Sequence, residues 1–331
     1  MTAKMSKVLI TTVPFADKNR LPLELLEAAD IGYLINPLGR RLKEEELAGM
    51  VSDFDVLIAG TEPITDRVMA RASRLKLISR VGIGLDSVDL LSAEKRSIKV
   101  SYTPDAPAPA VAELTVALIL SLLRSVHVCN LQMHAGVWKR HLGRRIAEVT
   151  LGIIGTGRVG SRVLRRIVPF GTPRVLVNDI NPNPKLVPEL KLEWVGKEEL
   201  YRTADVISLH VPMTAQTRNM IRREQLLQMK ADAVVVNTSR GGIINEADLL
   251  EVVRSGHLGG VALDVFEHEP YSGALAGLDR CLLTSHMGSM SVDCRTRMEI
   301  EATEEAVRFL QGRPLKSPVP PEEYDVQQQQ L

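Results

Sequence analysis

Val149-Thr150-Leu151-Gly152-Ile153-Ile154-Gly155-Thr156-Gly157-Arg158-Val159-Gly160 is the stretch on which the fold of this chain turns. An apolar, β-branched run stops at the cluster Gly155-x-Gly157-x-x-Gly160, and a helix-compatible segment follows. Each glycine has its own task where a strand hands over to a dinucleotide-binding helix. Gly155 permits the tight turn, Gly157 lets the backbone approach a pyrophosphate, and Gly160 lets the helix close on the strand. The helix start at Arg158 and Val159 would then present N–H groups and a positive dipole end to phosphates. Glycine clusters also make ordinary turns, so the context has to separate the two readings. Val159, Val163, Leu164 and Ile167 recur at helical spacing after the cluster. A second β-branched run, Arg174–Asn178, ends in Asp179, 24 residues past Gly155, near the place where a carboxylate meets ribose hydroxyls. That carboxylate would repel a 2′-phosphate, and Ile180-Asn181-Pro182 supplies no cation to bind one. NAD is therefore the expected cofactor, rather than NADP.

The length of 331 residues makes two domains the default. A net charge of +1 gives no field that would draw nucleic acid or a membrane surface. Cys129, Cys281 and Cys294 form no CxxC pattern, which suits a reducing compartment without a disulfide framework. Lys4 and Lys7 precede only a strand-length run, Val8–Val13, which does not read as a signal peptide. The apolar stretch Leu114–Leu123 is too short to span a bilayer, and a cytoplasmic protein is the natural expectation.

Outward from the glycine cluster, strands and helices alternate on both sides. Before it, strands are expected at Val8–Val13, Ile31–Ile35, Asp55–Ala59, Leu75–Val81 and Ile98–Ser101, with helices between them. After it, strands are expected at Glu193–Val195, Asp205–Leu209, Ala233–Val236, Val261–Leu263 and Leu282–Thr284. Such alternation predicts an α/β architecture of two doubly wound parallel-sheet domains. Three prolines in Pro104-Asp105-Ala106-Pro107-Ala108-Pro109 resist helix and mark a stiff crossing. A helix over Val111–Ser125 follows it. Residues 1–102 plus 292–331 then form a substrate domain, which the closing helix Val292–Leu310 rejoins, and residues 103–291 form the nucleotide-binding domain. Val126–Glu148 has no clear period; an arm, a subunit contact or a plain loop-helix segment would suit it. From Gly312 onward the proline- and Gln-rich tail reads as mobile.

Ligands of open α/β sheets sit beyond the carboxyl ends of the strands. The loop Arg80-Val81-Gly82-Ile83-Gly84-Leu85-Asp86 is one such end; its glycines serve a turn or bring N–H groups against an anion. Three further ends carry polar chemistry. Arg240 emerges beside two glycines after an all-apolar strand, where a guanidinium can hold a carboxylate in bidentate fashion. Glu269 lies in the loop after Val261–Leu263, and His286 follows Leu282–Thr284. A histidine at a strand end exchanges protons near neutral pH, and a carboxylate beside it would hold the ring oriented. A surface arginine or a helix-end cap is the plain alternative for Arg240, and a lone histidine at a strand end is more often structural than catalytic; Arg, Glu and His at successive strand ends of one nucleotide-binding sheet point instead to catalysis. His268-Glu269 lacks the second histidine of HExxH, no Cys/His cluster has metal-ligand spacing, and GxSxG is absent.

The chain resembles the D-isomer-specific 2-hydroxyacid dehydrogenase family, from about residue 50 to 310. The resemblance rests on Arg80-x-Gly82-x-Gly84-x-Asp86, Val111-Ala112-Glu113, Gly136-x-Trp138 and the glycine fingerprint. It continues in Val211-Pro212-x-Thr214-x-x-Thr217, Asn237-x-x-Arg240-Gly241, Leu263-Asp264-Val265-Phe266-x-x-Glu269-Pro270 and His286-x-Gly288. It implies Arg240, Glu269 and His286 as the catalytic set. It also implies Thr238 and Asp264 at the nicotinamide end of NAD, with Val211, Pro212, Thr217 and Gly288 also on the cofactor. Arg80, Val81 and Gly82 would contact the substrate, the last two through N–H groups on its carboxylate. A small 2-keto or 2-hydroxy acid is the implied substrate and a homodimer built through Val126–Glu148 the implied assembly. Departures exist. Ser87 stands where asparagine is usual, Pro104-Asp105-Ala106-Pro107 replaces a glycine/asparagine turn, and Ser289 replaces a second glycine. Ala59 stands where phosphoglycerate-type members carry an arginine, and the sequence reads as too short for their C-terminal regulatory domain, so that specialisation is not the expected one. Two rival readings remain: an NAD(H)-sensing binding protein such as the corepressors that resemble this family, and a dehydrogenase with an unusual donor such as phosphite. Formate-type members replace the glutamate of the pair with glutamine, so Glu269 speaks against the last of these.

Overall fold

The computed structural model describes residues 7–328; Lys4 and the end of the tail, 329–331, lie outside them. The chain divides into two compact units, Met1–Pro107 with Met290–Leu331, and Ala108–Ser289. In the first, β1 (Lys7–Ile10), α1 (Leu21–Ala28), β2 (Gly32–Ile35), α2 (Glu44–Met50) and β3 (Val56–Ala59) are followed by α3 (Asp66–Arg71), β4 (Leu77–Arg80), α4 (Leu90–Lys95) and β5 (Lys99–Ser101). Their five-stranded sheet runs β2-β1-β3-β4-β5 and is parallel throughout. The inner strands β3 and β4 are buried along their whole length, as helices on both faces require.

The second unit opens with α5 (Ala108–Leu123) and α6 (Val126–His134). It continues with β6 (Thr150–Ile154), α7 (Arg158–Ile167), β7 (Arg174–Asn178), β8 (Leu192–Trp194), α8 (Lys197–Thr203), β9 (Val206–Leu209) and α9 (Arg223–Gln228). It closes with β10 (Val234–Asn237), α10 (Glu246–Ser255), β11 (Gly260–Leu263) and β12 (Cys281–Leu283). These seven strands form a second parallel sheet, ordered β12-β11-β10-β9-β6-β7-β8. One face carries a core of Leu200, Leu226, Leu249 and Val253 from α8, α9 and α10. The other is covered by Ile119, Leu122, Val163 and Leu164 from α5 and α7. The doubly wound class expected from the alternation is thus present in both units.

The chain returns to the first unit as α11 (Val292–Leu310) and α12 (Pro321–Gln328). Ser291 caps α11 by accepting the Cys294 N–H. The reading of the tail as mobile is corrected by its contacts. Val319 and Tyr324 pack on the first unit's core. The Gln327 amide accepts from Leu90 N–H at 2.6 Å and donates to the Val88 carbonyl at 2.8 Å, capping α4. The expected start of α5 is also corrected: it begins at Ala108, with Pro109 in the first turn, where the missing N–H has no intrahelical partner to lose. Among the described residues no single helix is long and apolar enough to cross a membrane. The pair α5 and α6 qualifies jointly, but bends by 67° at its break. The apolar character of α5 comes from its place in the core.

Candidate active site

The glycine turn joins β6 to α7. Gly155 has φ +93°, and a Cβ there would come 2.4 Å from the His210 carbonyl oxygen. A Cβ at Gly160 would come 2.0 Å from the Gly155 carbonyl oxygen, so the helix packs on the turn only without a side chain. Gly157 differs: a Cβ there would meet nothing within 4 Å. Its backbone face is open where the N-terminal amides of the ten-residue α7 emerge at Arg158 and Val159. Two closed glycines and one open one form a cradle that fits a dinucleotide pyrophosphate.

Asp179 follows β7 and reaches back to this turn. One carboxylate oxygen accepts the Thr156 N–H at 2.6 Å and the Thr156 hydroxyl at 2.9 Å, and the other accepts the Asn181 N–H at 2.8 Å. A carboxylate has about four lone-pair positions, so Asp179 retains acceptor capacity for a sugar hydroxyl. The side chain of Val211 lies 3.0 Å from the Cβ position at Gly155. The Thr217 hydroxyl donates to the Pro212 carbonyl at 2.6 Å, fixing the loop after β9. In that strand end, burial pushes the His210 imidazole down to about 3; its Nδ1 is sealed from solvent without a partner, and its Nε2 faces Ser208 at 2.9 Å. His210 is therefore neutral at any pH near 7.

Three adjacent strands, β10, β11 and β12, lead into the loops that carry Arg240, Glu269 and His286. After β10, Asn237 organises the turn: its amide donates to the Arg240 carbonyl at 2.8 Å and its oxygen accepts from Ser239. Thr238 is buried, with its hydroxyl 2.7 Å from that of Thr115 on α5. After β11, the Glu269 Oε1 accepts the Phe266 N–H at 3.1 Å, and its Oε2 lies 2.8 Å from His286 Nδ1. The pair is partly exposed, Glu269 at 32% and His286 at 46%, so the ring is open to a ligand.

His286 itself has φ +51°, an uncommon conformation for a residue with a side chain. Asp264 explains it. This buried carboxylate accepts the Thr284 hydroxyl at 2.5 Å and the Met287 and Gly288 N–H groups at 2.8 Å each. Three donors on one carboxylate clamp the turn that carries the imidazole. A Cβ at Gly288 would lie 3.0 Å from the same carboxylate.

A second lock ties the Arg240 turn to the Glu269 turn. The Glu246 N–H donates to Glu267 Oε1 at 3.0 Å, and the Glu267 N–H donates to Glu246 Oε1 at 2.6 Å. A Cβ at Gly241 would stand 1.9 Å from the Phe266 carbonyl oxygen, so the two backbones touch. Burial lifts the Glu246 carboxyl above its usual range. The bond from the Glu267 N–H opposes the rise, as does His268, while the charges of Glu267 and Glu269 reinforce it.

Arg80, Val81 and Gly82 lie at the end of β4, in the other unit. The Arg80 guanidinium is buried and donates to the carbonyls of Ala59 and Val81. The Val81 N–H already donates to the Ala59 carbonyl at 2.9 Å. The Gly82 N–H is shared between the Arg80 carbonyl at 3.1 Å and the Thr103 hydroxyl at 2.8 Å. As the loop stands, both amides expected to meet a carboxylate are taken up internally.

Residues 116–288 match the family described as D-isomer specific 2-hydroxyacid dehydrogenase, NAD binding domain. The chain is 36% identical over 276 residues to hydroxypyruvate reductase of Thermotoga maritima, covering 81% of this chain and 89% of that protein. It is 36% identical over 319 residues to D-3-phosphoglycerate dehydrogenase of Methanocaldococcus jannaschii; the match covers 93% of this chain but only 58% of that longer protein. Among solved structures, the D-lactate dehydrogenase of Aquifex aeolicus, complexed with NAD and lactic acid, superposes with a TM-score of 0.84 at 27% identity. That match covers 94% of this chain and 98% of the other.

Proposed function

The chain belongs to the D-isomer-specific 2-hydroxyacid dehydrogenase family, and from that premise we propose that it interconverts a small 2-keto acid and its D-2-hydroxy acid with NAD(H). The observation that carries the proposal is the ordered edge: Arg240, Glu269 and His286 after three neighbouring parallel strands, with His286 Nδ1 held by Glu269 at 2.8 Å. Gly155, Gly157, Gly160 and the amides of Arg158 and Val159 would hold the pyrophosphate of NAD. Asp179 would take the ribose. Val211, Pro212 and Thr217 would line the cofactor's path, and Thr238, Asp264 and Gly288 would lie at its nicotinamide end. Asp264 keeps one lone-pair position for that role after its three internal donors. When bound, the nicotinamide supplies the hydride to C2 of the keto acid.

Arg240 binds the substrate carboxylate and draws charge toward the carbonyl oxygen. His286, protonated and oriented by Glu269 through Nδ1, gives its Nε2 proton to the oxygen that becomes the hydroxyl. In the reverse direction the same nitrogen accepts that proton. For Val81 and Gly82 to offer their N–H groups to a substrate carboxylate, they would exchange their bonds to Ala59 and Thr103. Arg80 would assist by its charge.

The experiment is NADH and NADPH oxidation with glyoxylate, hydroxypyruvate, pyruvate, 3-phosphohydroxypyruvate and bulkier keto acids, with phosphite tested as a donor to NAD. Turnover of at least one unphosphorylated keto acid with NADH ahead of NADPH is expected. NADH binding without turnover of any substrate would favour the nucleotide-sensing reading instead.

A homodimer forms part of the proposal. On α6 and the segment after it, Leu131, Met133, Val137, Trp138 and Leu142 are exposed, Trp138 by 80% and Leu142 fully. Such a run of apolar surface is expected to be covered by a partner. Light scattering on purified protein should give twice the 36.5 kDa chain mass; a monomer at micromolar concentration would refute the assembly.

A further inference from the structure

Two glutamates outside the acid-base set hold together the turns that carry it. Glu246 is the first residue of α10, and Glu267 lies two residues before Glu269. Each carboxylate accepts the other's backbone N–H, at 3.0 and 2.6 Å. Helix capping alone does not call for this arrangement, because the Asn245 side chain already caps α10 by accepting the Asp248 N–H at 3.0 Å. The Glu267 carboxylate gains a helix N-terminus, a favourable place for negative charge. The Glu246 carboxylate gains less for itself: it is desolvated, and Glu267 and Glu269 are its negative neighbours. Two carboxylates brought together at a cost need a compensating role, and their position supplies one. On one side of the bracket is the turn that presents Arg240. On the other are Phe266, whose N–H fixes Glu269 Oε1, and then Glu269 and His286.

We propose that Glu246 is a positioning residue, whose carboxylate fixes the Glu267 backbone and thereby sets Glu269, and through it His286, in register with Arg240. The inference rests on the catalytic reading of Arg240, Glu269 and His286. Acting through Glu269, it should alter the chemical step and not cofactor binding.

The test compares Glu246→Ala, Glu246→Gln and Glu269→Gln, alone and with Glu246→Ala combined with Glu269→Gln, using the best substrate of the panel. Glu246→Ala should lower kcat by about 10- to 100-fold, the scale on which an ångström of misplacement acts, with NADH affinity by fluorescence titration unchanged. Glu246→Gln keeps an oxygen that accepts the Glu267 N–H and should restore most of kcat. In the Glu269→Gln background the loss from Glu246→Ala should shrink severalfold, because the two act on one element. A wild-type kcat in Glu246→Ala, an equal loss in both backgrounds, or a parallel loss of NADH affinity would each overturn the inference. If Glu246→Ala does not fold by thermal melting, Glu246→Met, which keeps the length of the side chain but offers the Glu267 N–H no oxygen, takes its place, with the same loss of kcat and the same non-additivity against Glu269→Gln expected. A wild-type rate in Glu269→Gln would instead overturn the catalytic reading, so the two failures are distinguishable.

Discussion

His286→Ala should reduce turnover by a factor on the order of 10²–10⁴, the usual share of a general acid, while NADH affinity stays close to that of the parent. The separation follows from the site. The glycine cradle and Asp179 belong to the β6 and β7 ends of the sheet, whereas His286 follows β12 at the opposite edge. Removing the imidazole leaves Asp264 clamping the turn through Thr284, Met287 and Gly288, since those bonds involve no atom of the lost ring. The left-handed φ at 286 remains, and alanine there carries a modest strain that melting will register. Steady-state kinetics with NADH fluorescence titration makes the check. A variant that turns over at the wild-type rate removes His286 from the mechanism.

Gly241→Ala should be as damaging by a different route. Its Cβ would fall 1.9 Å from the Phe266 carbonyl oxygen and 2.7 Å from the Glu267 nitrogen. Both are backbone atoms, so no rotamer change relieves the overlap. Either the Arg240 turn or the Phe266–Glu269 turn must move. Overpacking of this kind costs about 1–3 kcal/mol of stability, and a shift near an ångström between reacting groups costs about 10²-fold in rate. The expected result is a folded protein with a lowered Tm, NADH binding retained and kcat reduced about 100-fold. Full activity at normal Tm would show that the contact is soft and that register between the two turns is set elsewhere. Alanine at Gly157, where a Cβ meets no protein atom, is the matched control for a glycine whose closeness concerns a ligand alone.

Much of this was legible because it is local. The limits of β7 and α11 follow from apolar periodicity, and agree residue for residue with the sequence reading. Arg240, Glu269 and His286 were visible because each follows a short apolar strand, and the strand order makes those ends neighbours. What was not legible depends on pairing over distance. β1 was expected to run to Val13 but ends at Ile10. The following segment is held from α11, where Arg295 donates to the Thr12 hydroxyl and the Pro14 carbonyl and Glu299 accepts the Ala16 N–H. Nothing near residue 13 announces a partner at 295. α6 escaped because none of its residues is buried, and a helix without a core face has no period to read. Thr156, Thr115, Thr284 and Glu246 were missed for the same reason: their roles lie in contacts with Asp179, Thr238, Asp264 and Glu267, each distant along the chain. Only Thr156 left a signal, as the residue between the first two glycines of the fingerprint.

The bond from Thr156 to Asp179 has a thermodynamic consequence. Flexible glycine loops usually surrender conformational freedom when an anion arrives, and that loss is subtracted from affinity. Here the loop is stapled in advance by a carboxylate that follows the neighbouring strand, which would leave it less freedom to lose on association. The same staple ties selectivity to affinity. An exchange of Asp179 for a side chain without an acceptor, made to welcome a 2′-phosphate, would also release Thr156 and loosen the glycine turn.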